Sequence, residues 1–322
     1  MRVTHDLHTH TLFSSCCYDP EATVRAFVDK AHELGHTVFG ISNHLWDEKV
    51  PGASGWYKGQ TIDYGFEASY AIPADTHGVK ILFGTETEYC GMTDNLGMLP
   101  ETAARFDYVL IPHTHTHMKN FVIAENADVK AYRSRLSAAI EEKFPELGHD
   151  VASRMAGTLR YQEVKALLKD DEKTVDDEKY LADFCFSSFE SLMKNPNFAG
   201  VAAKVPTFIA HPFWACGETR QEIERVFSFL LAERDRLYAD FETCASFGVG
   251  LDVNIGTYRA DENGSYGDDP MVAVMRIAKD AGCKFIFGTD SHSVKGLENI
   301  RRGDAIAEAI GIGERELADI VK

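Results

Sequence analysis

A chain of 322 residues, 44% hydrophobic and 26% charged, suits one large α/β barrel or two small domains and can bury a sizeable core. Its 33 Lys and Arg against 50 Asp and Glu give a formal net charge of −17, which argues against a surface that coats nucleic acid. No run approaches a membrane span, the opening Met1-Arg-Val-Thr-His-Asp6 lacks an apolar leader core, and the seven cysteines are scattered without a C-x-x-C pair; the expected setting is soluble, reduced and cytoplasmic.

Residues 3–8 read as a short strand. Asp19-Pro20-Glu21 then resembles an N-cap, a first-turn proline and a first-turn acid, and Val24, Phe27, Val28, Ala31 and Leu34 follow at helical spacing. A helix over 20–34, stopped by Gly35, is predicted. Apolar runs at 37–42, 79–84 and 107–111 read as buried strands. After them come a strand at 207–210 with a helix near 218–246, a strand at 249–253 with a helix near 269–281, and a strand at 284–287 with helical segments from about 297. Seven strands alternating with helices imply a parallel sheet. Residues 118–198 break the alternation with helical, highly charged sequence, and are read as a helical insertion after the fourth strand.

Chemistry-bearing residues gather where these apolar runs end. His8 and His10 form an H-x-H pair after the first run, and His44 follows Ile41-Ser-Asn. Glu86 follows Leu82-Phe-Gly-Thr, and His113-Thr-His-Thr-His117 follows the fourth run. His211 follows Phe208-Ile-Ala, and Asp290-Ser-His292 follows Phe287-Gly-Thr. Imidazoles and carboxylates are the ligands of divalent transition metals. Side chains at strand ends converge only when parallel strands surround one mouth, so the pattern predicts a metalloenzyme on a closed barrel.

His8-x-His10, Asn43-His44, Gly84-x-Glu86, His211-Pro212 and Gly288-Thr-Asp290-x-His292 resemble the polymerase and histidinol phosphatase (PHP) family. The resemblance implies a single domain over 1–322, a distorted (β/α)7 TIM-like barrel with the helical insertion at about 118–198. It also implies a di- or trinuclear centre of Zn, Mn or Fe that hydrolyses phosphoesters. Carried across by motif, one ion takes His8, His10, Glu86 and Asp290. A second shares Glu86 and takes His115 and His211. A third takes His44 and His292 with one further N-terminal ligand. Cys16 stands where some members place that last ligand, and a buried inert thiol is the competing reading. Asn43 replaces an aspartate common in the family, which bears on the support of the ligands rather than on the ligands themselves.

Were the fourth strand to continue, His113, His115 and His117 would share one face. His115 is preferred, His117 is the fallback and His113 the weakest. His5, His32, His36, His77 and His149 are read as ordinary histidines. Arg259, just past a strand, is the phosphate candidate, with an ion pair to Asp261 or Glu262 as the plain alternative. Asn254 could position substrate, and Lys295 is a weaker phosphate candidate.

The expected activity is hydrolysis of a small phosphomonoester, such as histidinol phosphate, by water activated between cations. An acidic chain can accept such a substrate because bound metals reverse the local sign. An amidohydrolase-type hydrolase of C–N or C–O bonds is the alternative, against which stands Glu86 in place of a bridging lysine. A non-catalytic metal-binding module is the third reading.

Overall fold

The computed structural model describes residues 1–322. Seven strands form one sheet in chain order: β1 (His5–Asp6), β2 (Val38–Ile41), β3 (Lys80–Glu86), β4 (Tyr108–Ile111), β5 (Thr207–Ile209), β6 (Gly250–Asn254) and β7 (Phe285–Gly288). Every neighbouring pair is parallel. β7 returns to β1. The Leu7 N–H donates to the Phe287 carbonyl at 2.9 Å, and the Asp290 N–H donates to the His8 carbonyl at 2.7 Å. The result is a nearly closed (β/α)7 barrel ringed by helices, as the alternation predicts.

β1 is shorter than the sequence suggests. Beyond Asp6 the regular β2 ladder ends; one backbone bond remains, from the Ser42 N–H to the Thr9 carbonyl at 3.0 Å, and side chains add to it, the Thr9 N–H donating to Ser42 Oγ at 3.0 Å and the Thr11 N–H to Asn43 Oδ1 at 2.7 Å. Asn43 therefore pins the loop that carries His8 and His10. The first helix also starts late, at Val24 rather than residue 20, because Thr23 supplies the cap by accepting from the Ala26 N–H. Asp19 closes a turn ahead of it, accepting from the Glu21 N–H. The predicted helix at 218–246 is two helices, Arg220–Ala232 and Arg234–Ser246, broken at Glu233 with no glycine or proline to announce it.

Packing below the mouth turns on Tyr108. Its ring is fully buried between Gly40 and Gly84, and its hydroxyl donates to the Leu7 carbonyl at 2.6 Å. A Cβ at either glycine would meet that ring or its hydroxyl, so the two glycines exist to admit the tyrosine. Gly288 plays the same part for His8, whose Cβ occupies the space a side chain there would need.

Between β4 and β5 lie five helices: Ala127–Lys143, Gly148–Ala156, Tyr161–Leu167, Asp177–Lys194 and Pro196–Ala202. They are not equivalent. Leu181, Cys185, Phe189 and Leu192 of the fourth belong to the barrel's main apolar core, so it serves as a barrel helix. Val129, Tyr161, Val164 and Leu168 form a small separate cluster, so the excursion away from the barrel ends before Asp177. No helix is long and apolar enough to cross a membrane, and all seven cysteines are free.

Candidate metal centre

Glu86 ends β3, and its 99%-buried side chain faces five imidazoles. On one side, Glu86 Oε2 lies 3.3 Å from His8 Nε2, 3.3 Å from His10 Nε2 and 3.3 Å from His44 Nδ1. On the other, Glu86 Oε1 lies 3.4 Å from His211 Nε2 and 4.0 Å from His115 Nε2. Asp290 Oδ1 approaches His10 Nε2 at 3.1 Å and His8 Nε2 at 3.6 Å. His292 completes the rim, its ring stacked on that of His10 at 4.6 Å between centroids.

These contacts do not satisfy the groups that make them. His8 Nε2, His10 Nε2, His44 Nδ1 and Glu86 Oε1 are buried without a hydrogen-bond partner. Buried polar atoms are ordinarily paired, and four unpaired ones converging on one point are what a bound cation would satisfy. Four donors about 2.1 Å from a zinc-like ion in a tetrahedron stand about 3.4 Å apart, which is the spacing found around Glu86. The residues fit divalent cations. Donor atoms mutually within 4.8 Å occur in five groups: His8, His10 and Asp290; His8, Glu86 and His211; His10, His44 and Glu86; His115, His211 and Cys216; His10, Cys16 and His292. Cys16 and His292 thus meet at His10, rather than at His44 as the family pattern implies.

Outer groups fix the imidazoles. His8 Nδ1 lies 2.8 Å from Asp252 Oδ2 and His115 Nδ1 lies 2.7 Å from Glu88 Oε2. Donation from each Nδ1 leaves Nε2 free to face the centre. His292 Nδ1 is similarly placed, 2.9 Å from the Asp290 carbonyl. Tyr57 donates to Glu88 Oε2 at 3.1 Å, and Asn254 Nδ2 donates to Asp290 Oδ2 at 3.1 Å, leaving Oδ1 for the cage. Two cage residues hold left-handed backbone, Asp290 at φ 52° and His211 at φ 33°. Such conformations cost free energy and persist where surrounding structure imposes them, characteristically at functional sites.

The electrostatics follow from packing acids and bases together out of water. Burial opposes charge on His8, but the Glu86, Asp290 and Asp252 carboxylates outweigh it and raise its pKa well above the usual value. Burial likewise opposes charge on His115, and Glu88 overcomes it, pushing the pKa up to about 9. Glu86 is held well below the usual carboxylate range, against burial, by His44 and His8. His44 is pushed down by burial, which outweighs the pull of Glu86 and is aided by the neighbouring His10 and His115. Without metal, the cage retains positive charge as protons on imidazoles.

All eight candidate ligands come together. The cavity above them, about 510 Å³, is lined by Cys16, Tyr18, His44, Trp56, Glu86, His115, His117, Met118, His211, Cys216, Asp290 and His292, and by no lysine or arginine. Arg259 is not among them. It is exposed in a separate groove with Arg220, Asp268 and Asp269, because the chain after β6 turns outward through a 3-10 segment at Ile255–Thr257. Lys295 is exposed and also lies off this cavity. β4 stops at Ile111, so residues 113–117 do not alternate like a strand. His113 turns into the core, its Nε2 accepting from the Phe213 N–H at 3.1 Å, and His117 borders the cavity outside the ligand groups. His5 accepts from the Phe287 N–H at 3.0 Å within the barrel wall.

Sequence reasoning missed Asp252, Glu88 and Cys216. For Asp252 a signal existed, since it stands two residues before Asn254 in one strand and shares its face; Glu88 lies past the end of β3, where alternation no longer places it. Cys216 had no signal.

The chain matches the PHP domain family over residues 6–182, more than half its length, and belongs to that family. A protein named "Probable phosphatase" from Acetivibrio thermocellus is 32% identical to it over 110 residues, which cover 34% of this chain and 41% of that protein. The match therefore spans less than half of that relative.

Proposed function

We propose that this protein is a metal-dependent hydrolase that cleaves a small phosphomonoester at a centre of two or three divalent ions, Zn, Mn or Fe. The observation that carries the reading is Glu86, whose two oxygens address two different imidazole sets from one buried position. A carboxylate so placed is how neighbouring cations are bridged. Bound ions supply Lewis acidity toward phosphoryl oxygens and lower the pKa of water toward neutrality.

The chain's own residues divide the remaining tasks. His8, His10, Glu86 and Asp290 form one donor set. His115 and His211 form a second around the other oxygen of Glu86, and His44 and His292 with Cys16 flank the first. Asp252 and Glu88 orient His8 and His115. With no lysine or arginine in the cavity lining, a phosphate dianion bound beside the loaded centre depends on the metals for its counter-charge. Trp56, Tyr18 and Met118 offer an apolar wall to the substrate's organic part. The printed name of the Acetivibrio relative supports a phosphatase reading. The lack of a lysine at the mouth counts against an amidohydrolase, and an open cavity counts against a closed structural centre.

The test is phosphate release from a panel of phosphomonoesters, histidinol phosphate included, by protein loaded in turn with Zn, Mn and Fe(II). Turnover that is abolished in Glu86→Gln is expected. No release from any ester by fully loaded protein sinks the proposal.

A further inference from the structure

Cys216 lies in the loop after His211, partly buried, with its sulfur in the same donor group as His115 and His211. Its backbone is fixed from both sides by the segment that carries His115. The Cys216 N–H donates to the Thr114 carbonyl at 3.2 Å, and Thr116 Oγ1 donates to the Cys216 carbonyl at 2.8 Å. Gly217, at φ 91°, lets the loop lie directly against the His117 Cβ. The sulfur is thus held over the second half of the cage rather than left on a mobile tip.

An independent observation marks that half as a ligand site. Glu86 Oε1, 99% buried and unpartnered, is aimed into it, with His211 Nε2 at 3.4 Å and His115 Nε2 at 4.0 Å. Those three donors leave a tetrahedral ion one ligand short. A sulfur about 2.3 Å from zinc would stand about 3.6 Å from nitrogens at about 2.1 Å, within the 4.8 Å spread of the group.

We propose that Cys216 is a sulfur ligand of the second metal position, giving it a Glu86, His115, His211 and Cys216 donor set. The proposal rests on the metal-centre reading but not on the reaction catalysed. A sulfur there biases the position toward softer ions, Zn or Fe(II), over Mg or Mn. It also places an oxidisable atom at the cavity wall.

The experiment uses the full-length Cys16→Ser protein, which leaves Cys216 as the sole thiol lining the cavity, titrated with Co(II). A near-ultraviolet sulfur-to-cobalt charge-transfer band is expected, and its loss on adding Cys216→Ser while cobalt still binds. Zinc-edge X-ray absorption of the Cys16→Ser protein supplies a second readout that needs no change at Cys216, with a sulfur scatterer expected at about 2.3 Å. Cobalt that binds without the band, or a band that survives in the double variant, overturns the sulfur ligand alone. Failure to bind cobalt or zinc at all overturns the metal centre with it.

Discussion

Replacing Asp252 with asparagine tests whether the outer carboxylates govern the cage. Asp252 Oδ2 sits 2.8 Å from His8 Nδ1, both side chains are fully buried, and Asp252 Oδ1 has no other partner. Asparagine keeps the size and can still accept from Nδ1–H through its oxygen, so the ring stays oriented. What disappears is a full negative charge behind the imidazole, which makes Nε2 a poorer donor. Outer-shell substitutions of this kind cost about 10- to 100-fold in metal affinity, or about 1.4–2.7 kcal/mol at 1.36 kcal/mol per decade. The metal-free protein should lose stability for a separate reason, because there Asp252 pairs with a protonated His8 and removing one partner of a buried pair is destabilising. Competition titration with a chromophoric chelator reads the affinity, and thermal melting with and without Zn separates binding from folding. Affinity within about twofold of the parent would refute the reasoning, since it would leave the carboxylate no influence on the donor.

The direction of pH dependence in metal loading follows from His115, with its pKa pushed up to about 9, and His8, also raised. Both hold protons in the metal-free protein at neutral pH, and both must lose them to bind an ion, so affinity should climb with pH through the neutral range and level off only once pH passes about 9. Chelator competition at several pH values, with proton release followed by an indicator dye, checks this; a flat profile contradicts it. Gly84→Ala would drive a methyl group into the Tyr108 ring, and overpacking of that kind costs about 1–3 kcal/mol, read from the urea midpoint at unchanged m-value. Arg259→Ala should leave KM for a phosphoester within about twofold, as expected of an exposed side chain away from the cavity; a large rise in KM would return Arg259 to phosphate binding.

What the amino-acid order settled alone was whatever depends on near neighbours. Apolar runs alternating with amphipathic helices specified seven parallel strands, and histidines and carboxylates just past those runs located the mouth, because a strand's end and its next few residues are a local matter. Tertiary structure decided the rest. Spacing ranks His115 first among the three histidines of His113–His117, but it is the end of β4 at Ile111 that sends His113 into the core and His115 into the cage. Asp252 supports a histidine 244 positions away, and Cys216 joins His115 across a hundred residues of intervening chain. Arg259 had the right neighbours in sequence, yet the turn after β6 carried it elsewhere. Strand periodicity reaches only a few residues, whereas closure of the barrel sets which distant ends face each other. That closure depends on packing such as Tyr108 between two glycines, which no local pattern encodes.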